Sequence, residues 1–434
     1  MKLFASFALL LVALSSAAHA ELVPAERRMA QVAEQESERS VQLLERLVNQ
    51  NSGTLNLQGV EAVGRMVRAE LEPLGFTVRW ADMRETGRAG HLIATHRGNG
   101  RGKRMLLIAH LDTVFEPDSP FQRFTREGNR GVGPGVGDDK GGIVVIVAAM
   151  RAMHAAGTLR GADITIVMTG DEERPGSPIA TARRDLIEAG RNAEAALEFE
   201  NLAREGERDF GTVARRSSTS WTLRTTGQTG HSSGIFAPHL GYGAIYEMAR
   251  ILDAFRRELP EPNLTYNVGV IAGGTPADID EQGFRVTASG KTNIVAQTAI
   301  ARGDIRTLSA EQEQRVRARM REIVSQHLPQ TSAELVFAED GYPPMPPSEG
   351  NRRLLARLNE VNRDLGLPEM PEYDPARRGA ADSSFVAGDV DTLAGLGAAG
   401  GGAHAEGEWI DLTSLPRQAA RAAILITRLS RERR

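Results

Sequence analysis

Met105-Leu106-Leu107-Ile108-Ala109-His110-Leu111-Asp112 is a short apolar run that delivers a histidine and, two positions later, an aspartate. Residues two apart on an extended chain point to the same side, so this stretch reads as a buried strand with polar chemistry at its end. The pattern recurs. Residues 164–168 form a near-continuous apolar run, of the kind buried on both faces of a sheet, and lead into Asp171-Glu172-Glu173. Residues 195–200 end in Glu198-Phe199-Glu200, Asp138-Asp139-Lys140-Gly141-Gly142 opens a long apolar segment, and a late His404 sits in a glycine-rich loop. Open α/β sheets place their chemistry at such strand ends. Five clusters spread over almost 300 residues therefore read as the ligand shell of one site for two metal ions.

The rest of the chain supports that frame. Apolar spacing predicts helices over residues 25–49, 59–74, 143–156 and 180–189, and strands over 77–80, 91–95, 105–109, 164–168 and 195–200. Strands alternating with helices imply a mostly parallel sheet covered on both faces. Near Gly211 the pattern changes. Strands at 221–225, 265–271, near Phe284, at 294–305 and at 333–338 surround helices at 242–259 and 310–327. That βαββαβ outline suggests a ferredoxin-like insertion. The expected division is 21–212 and 341–434 for the first domain and 213–340 for the insertion. Pro343, Pro344, Pro346 and Pro347 mark the return path, followed by a helix over 351–365.

Composition narrows the function classes. A chain of 434 residues with 41% hydrophobic content has room for more than one core. Its net charge of -4 argues against nucleic acid bound through phosphates. The basic run 428–434 is expected to be a solvated helix end. Lys2, an apolar run over residues 3–14 and Ala18-His19-Ala20 read as a secretory signal peptide covering residues 1–20. The run is short for a bilayer span, so a periplasmic or extracellular protein without stable membrane insertion is expected. With no cysteine, any metal must be held by histidine and carboxylate.

Each cluster also has a plainer reading. His110 and Asp112 suit a metal ligand oriented by a carboxylate, or a buried hydrogen-bonded pair. Asp138-Asp139 suits a cation, the start of a helix or a solvated turn. Of Glu172 and Glu173, one can ligate while the other takes a proton from water; an exposed acidic loop is the alternative.

The joint order is more specific. His110-Leu111-Asp112-Thr113-Val114, Gly137-Asp138-Asp139-Lys140-Gly141-Gly142 and Asp171-Glu172-Glu173 resemble the M20 metallopeptidases, and within them the glutamate carboxypeptidases, over essentially all of the mature chain. The resemblance implies an α/β di-zinc exopeptidase domain carrying an inserted ferredoxin-like lid and dimerisation domain. It implies two Zn2+ per subunit, with His110, Asp138, Glu173, Glu200 and His404 as ligands and Asp138 as the bridge. Glu172 is then the general base, Asp112 orients His110, and the Asp138–Asp139 peptide bond is expected to be cis. The family usually has Glu-Pro at the fourth cluster, so Glu198 remains the alternative to Glu200. In the insertion, His231 resembles the lid histidine that reaches the partner subunit's site, and Asn293 and Arg306 match positions that hold the substrate's terminal carboxylate. Gly400-Gly401-Gly402 offers N–H groups to the same carboxylate, or is a plain loop. The implied reaction releases a C-terminal amino acid, glutamate by resemblance, from a peptide or N-acyl amino acid. An N-acyl-amino-acid amidohydrolase or dipeptidase is the near alternative, and a periplasmic binding or scaffold protein the non-enzymatic one.

Overall fold

The computed structural model describes residues 22–280, 283 and 285–434. The expected leader and Phe284 lie outside the described residues. A six-stranded sheet runs in the order Thr77–Asp82, Gly90–His96, Asp163–Thr169, Arg104–His110, Ala195–Glu198, Thr392–Leu393. The last four strands are mutually parallel, whereas Gly90–His96 lies antiparallel to both of its neighbours. Leu106, Leu107, Ile108, Ile166 and Val167 are fully buried, as expected where helices cover both faces. The helix Lys140–Ala155 is apolar nearly all round and buried along almost its whole length, the pattern of a central helix. It lies against Ser414–Leu429, which is almost as buried.

Several expected elements are interrupted. The helix over 25–49 is two helices, Pro24–Gln35 and Ser37–Asn49, which re-phase at Glu36 so that Met29 and Val32 on one and Leu44 and Leu47 on the other all face the core. Residues 180–189 are likewise split, into Ile179–Ala182 and Arg184–Arg191, around a fully buried Arg183. The strand expected over 294–305 starts only at Thr298, and Ile294 bridges His231 instead. At the basic carboxyl end Arg431, Arg433 and Arg434 are exposed, as expected of a solvated helix end, but two of its arginines are also tied down. Arg428 pairs with Glu26 and Asp364, and Arg434 with Asp163.

The insertion is an antiparallel sheet in the order Thr265–Gly274, Thr298–Arg306, Thr219–Gly227, Thr331–Phe337. Helices Gly243–Glu258 and Ala310–Ser325 complete the βαββαβ order. Trp221, Leu223, Phe255 and Met320 fill its separate core. The two chain crossings between domains pair with each other, Arg215 opposite Met345 and Ser218 opposite Tyr342. The α/β sheet with an inserted ferredoxin-like unit is thus the architecture the sequence implied.

Candidate metal centre

Three adjacent parallel strands end at the same edge of the main sheet. The central one finishes on His110, flanked by the strand feeding Asp171-Glu172-Glu173 and the strand feeding Glu200. Asp138 comes from the turn just before the Lys140–Ala155 helix. His404 comes from the loop between Gly400–Gly401 and Trp409–Asp411 and has a φ of 65°. Asp138 divides its carboxylate, placing Oδ1 2.9 Å from His110 Nε2 and Oδ2 3.2 Å from His404 Nε2. His404 Nε2 also lies 3.1 Å from Glu173 Oε2. Ligand atoms of His110, Asp138 and Glu173 fall within 4.8 Å of one another, and so do those of His110, Glu172 and Glu200.

The charges in this cluster are poorly balanced by protein alone. Desolvation pushes the Glu200 carboxyl up to about 8, with Glu198 and Asp138 adding to the rise and Arg215 opposing it. Desolvation and the Glu200 charge likewise raise Glu172 well above the ordinary carboxylate range. Burial also acts against charge on Asp138, but hydrogen bonds from His110 and His404 hold it far below that range. Glu173 Oε1 is buried without a hydrogen-bond partner. Imidazole nitrogens and carboxylate oxygens converging around an uncompensated negative charge are a donor set that fits divalent metal ions.

Surrounding residues fix this geometry. The Asp112 carboxylate accepts the backbone N–H groups of Glu172 and Glu173, at 3.0 and 3.1 Å, and the Thr54 hydroxyl at 2.7 Å. Its contact with His110 Nδ1 is looser, 3.4 Å from the carboxylate and 3.1 Å from its own backbone oxygen. Asp112 therefore orients the acidic pair as much as the histidine. Glu408 accepts the N–H groups of Gly135, Gly137 and Asp138 at 2.8–2.9 Å. Gly135 has a φ of 66°, in the left-handed region that favours glycine. A Cβ on Gly142 would lie 2.0 Å from the Phe199 carbonyl oxygen, so the turn can meet the neighbouring strand end only with glycine there. The Asp138–Asp139 peptide bond is cis. Asp171 points away from the cluster into a buried ion pair with Arg183, which also holds Asp382 and the Tyr342 hydroxyl. Tyr342 in turn donates to the Glu172 carbonyl at 2.7 Å.

Of the two candidates in Glu198-Phe199-Glu200, only Glu200 belongs to a converging donor group. Glu198 is buried against Arg215 and accepts the Gly395 N–H. Gly400 and Gly401 form a short strand paired with Ile410 and Trp409. Among the described residues, the candidates in the insertion neither hydrogen-bond nor ion-pair with the cluster. His231 is exposed and bonds Ser233, Asn293 is exposed on the segment paired with His231, and Arg306 pairs with Asp304 at 2.9 Å. Sequence reasoning missed Glu408, Arg215, Arg183, Asp382 and Tyr342. Each acts through a contact remote in the chain, and only the nearness of Glu408 to His404 offered a signal.

Converging donors at the carboxyl edge of an α/β sheet, with an acid beside them, define a metal-dependent hydrolase. The chain belongs to peptidase family M20/M25/M40, whose profile matches residues 106–428. It is 28% identical over 411 residues to carboxypeptidase G2 of Pseudomonas sp. (strain RS-16), covering 91% of this chain and 90% of that protein. Its fold matches aminopeptidase PepT of Bacillus cereus ATCC 10987 with a TM-score of 0.72 and 20% identity, over 91% of this chain and 99% of that one. A dinuclear metal-binding M20 peptidase of Bacillus subtilis matches with a TM-score of 0.63 and 16% identity, over 91% and 99%.

Proposed function

We propose that the protein is a zinc-dependent carboxypeptidase that releases a C-terminal amino acid, glutamate foremost, from peptides or N-acyl amino acids. The observation carrying the reading is the division of Asp138 between His110 and His404, with Glu172 beside the same donors. Two zinc ions would be held by His110, Asp138 and Glu200 on one side and by Asp138, Glu173 and His404 on the other. Such a pair polarises a carbonyl and acidifies water. Glu172 then accepts a proton from the attacking water and returns it to the leaving nitrogen as the C–N bond breaks. Asp112 keeps Glu172 in place through its backbone N–H.

Substrate contacts come from the insertion. Arg306 and Asn293 would hold the terminal carboxylate, the arginine through its paired N–H groups. His231 would complete the site of a partner subunit. Exposed Val268 and Ile271 on the outer strand Thr265–Gly274, with Ile245 and Tyr246, offer an apolar surface for a homodimer. A leader over residues 1–20 would export the protein to the periplasm or beyond.

The test is hydrolysis of a panel of N-acyl amino acids and dipeptides by metal-free and zinc-loaded protein, with the released amino acid identified. Zinc-dependent release of the C-terminal residue is expected, and Glu172→Ala should lose activity while retaining both metals. If no substrate in the panel were cleaved, the enzymatic reading would fail. Cleavage of dipeptides alone would replace the carboxypeptidase with a dipeptidase.

A further inference from the structure

The loop 374–381 carries an arginine for which the reaction above has no use. The Nε and Nη2 atoms of Arg378 are buried and have no hydrogen-bond partner. Its nearest acid is Glu200, with Nη2 3.9 Å from Oε2, beyond hydrogen-bond range. That oxygen is already taken by Arg215 at 2.7 Å. A buried guanidinium edge without an acceptor is costly, and a bidentate carboxylate is the acceptor its geometry fits.

The surroundings hold this edge in place. Arg215 Nη1 donates to the Gly379 carbonyl at 3.1 Å, and Arg216 Nη2 to the Ala376 carbonyl at 2.9 Å. The backbone is therefore clamped on both sides of Arg378 by two arginines of the interdomain crossing. Arg216 also reaches the insertion through Thr265 and lies close enough to Arg306 for that charge, after its own burial, to lower its pKa. Burial and the Arg215 charge lower the Arg378 pKa as well. Arg215 is already shared by Glu198 and Glu200, and Arg306 is paired with Asp304, so the unpartnered edge of Arg378 is a separate donor pair beside Glu200.

We infer that Arg378 is a specificity-determining residue that binds a second carboxylate of the substrate, distinct from the terminal one assigned to Arg306. The inference rests on the hydrolase reading and narrows its substrate to an amide bearing two carboxylates. The second lies on the side chain of the released residue or on the acyl group, since the fork geometry suits either.

Two isosteric pairs separate these sources: N-benzoyl-glutamate against N-benzoyl-glutamine, and N-succinyl-alanine against N-succinamoyl-alanine. The zinc-loaded wild type should prefer the acid over the amide by about 10- to 100-fold in kcat/KM for one pair, the scale of a charge-assisted hydrogen bond. Arg378→Met should bring that ratio close to one, whereas Arg377→Met, at the exposed neighbour paired with Glu205, should keep it. The ratio is internal to each protein, so partial misfolding does not alter it. A wild-type ratio near one for both pairs, or a ratio that survives Arg378→Met, would overturn the inference and leave the hydrolase reading standing. An equal loss on acid and amide would mean that Arg378 only balances the charge of Glu200, which also overturns it. If none of the four compounds were cleaved, this inference would fall, and the wider panel of dipeptides and N-acyl amino acids would decide the hydrolase reading separately.

Discussion

Arg215 Nη2 donates to Glu200 Oε2 at 2.7 Å, and the same nitrogen lies 2.7 Å from Glu198 Oε1. One cation thus serves two acids of different kinds. Glu200 turns its carboxylate toward His110 and Glu172, whereas Glu198 is 1% exposed and spends its other oxygen on the Gly395 N–H. Glu200→Gln should therefore lower bound metal from two equivalents to about one, read by elemental analysis. Glu198→Gln should keep both metals but cost about 1–3 kcal/mol of stability, the scale of a charge-assisted hydrogen bond, because Arg215 stays paired with Glu200; denaturant unfolding reads it. If Glu198→Gln were the variant that shed metal, the ligand assignment would be reversed.

Asp112 offers a second separation of roles. Its two oxygens receive the N–H groups that set the directions of Glu172 and Glu173. In Asp112→Asn one acceptor becomes a donor facing an N–H. Activity should fall by about 10- to 100-fold, the scale for partners that orient ligands. The loss should appear in kcat, because no substrate contact is removed. A change confined to KM would place Asp112 on the substrate instead.

The clusters were legible because metal chemistry concentrates rare residue types at strand ends. His110, Asp138, Glu172, Glu173 and Glu200 each sit within three residues of an apolar run or a glycine turn. The βαββαβ order of the insertion was legible for a different reason, the alternating and helical spacing of its apolar residues. What stayed hidden depends on folding. Arg183 reads as one of several arginines in a helical segment, and only the tertiary structure buries it between Asp171 and Asp382. The choice between Glu198 and Glu200 turned on where a strand stops, and alternation along a strand cannot settle that. The helix Ser414–Leu429 went unread as a buried element because its arginines and glutamine suggest a solvated face, and only the tertiary structure buries Gln418 and Arg421.

Glu408 gathers three N–H groups of the turn that presents Asp138. It is 1% exposed, and burial with the nearby Asp138 charge raises its carboxyl to about 7 even though those N–H groups favour its charged form. In Glu408→Gln the side chain keeps its size, but one of the two acceptor oxygens becomes an amide that faces donors. The turn should loosen and metal affinity should drop by about 10- to 100-fold, measured by competition with a chelator of known affinity. Unchanged affinity would show that the glycine turn holds Asp138 without help.

Far from the centre, Glu26 ties the first described helix to the last. Arg428 Nε and Nη2 reach its two oxygens at 2.9 and 3.0 Å, and Nη2 also reaches Asp364. Burial works against the charge of Glu26, but the hydrogen bond and charge of Arg428 and the Val23 N–H outweigh it, so its pKa lies below the ordinary 4.5. A carboxylate depressed in the folded state stabilises fully above its unfolded value and loses that stabilisation as pH falls through its folded value. Glu26→Gln should therefore be less stable than wild type by about 1–3 kcal/mol at neutral pH, with Arg428 still partnered by Asp364. The gap should narrow below pH 4.5 as the wild-type carboxylate takes up its proton. Denaturant unfolding of both proteins from pH 7 down to pH 3 measures it, and a gap independent of pH would mean that Glu26 stabilises through packing and not through charge.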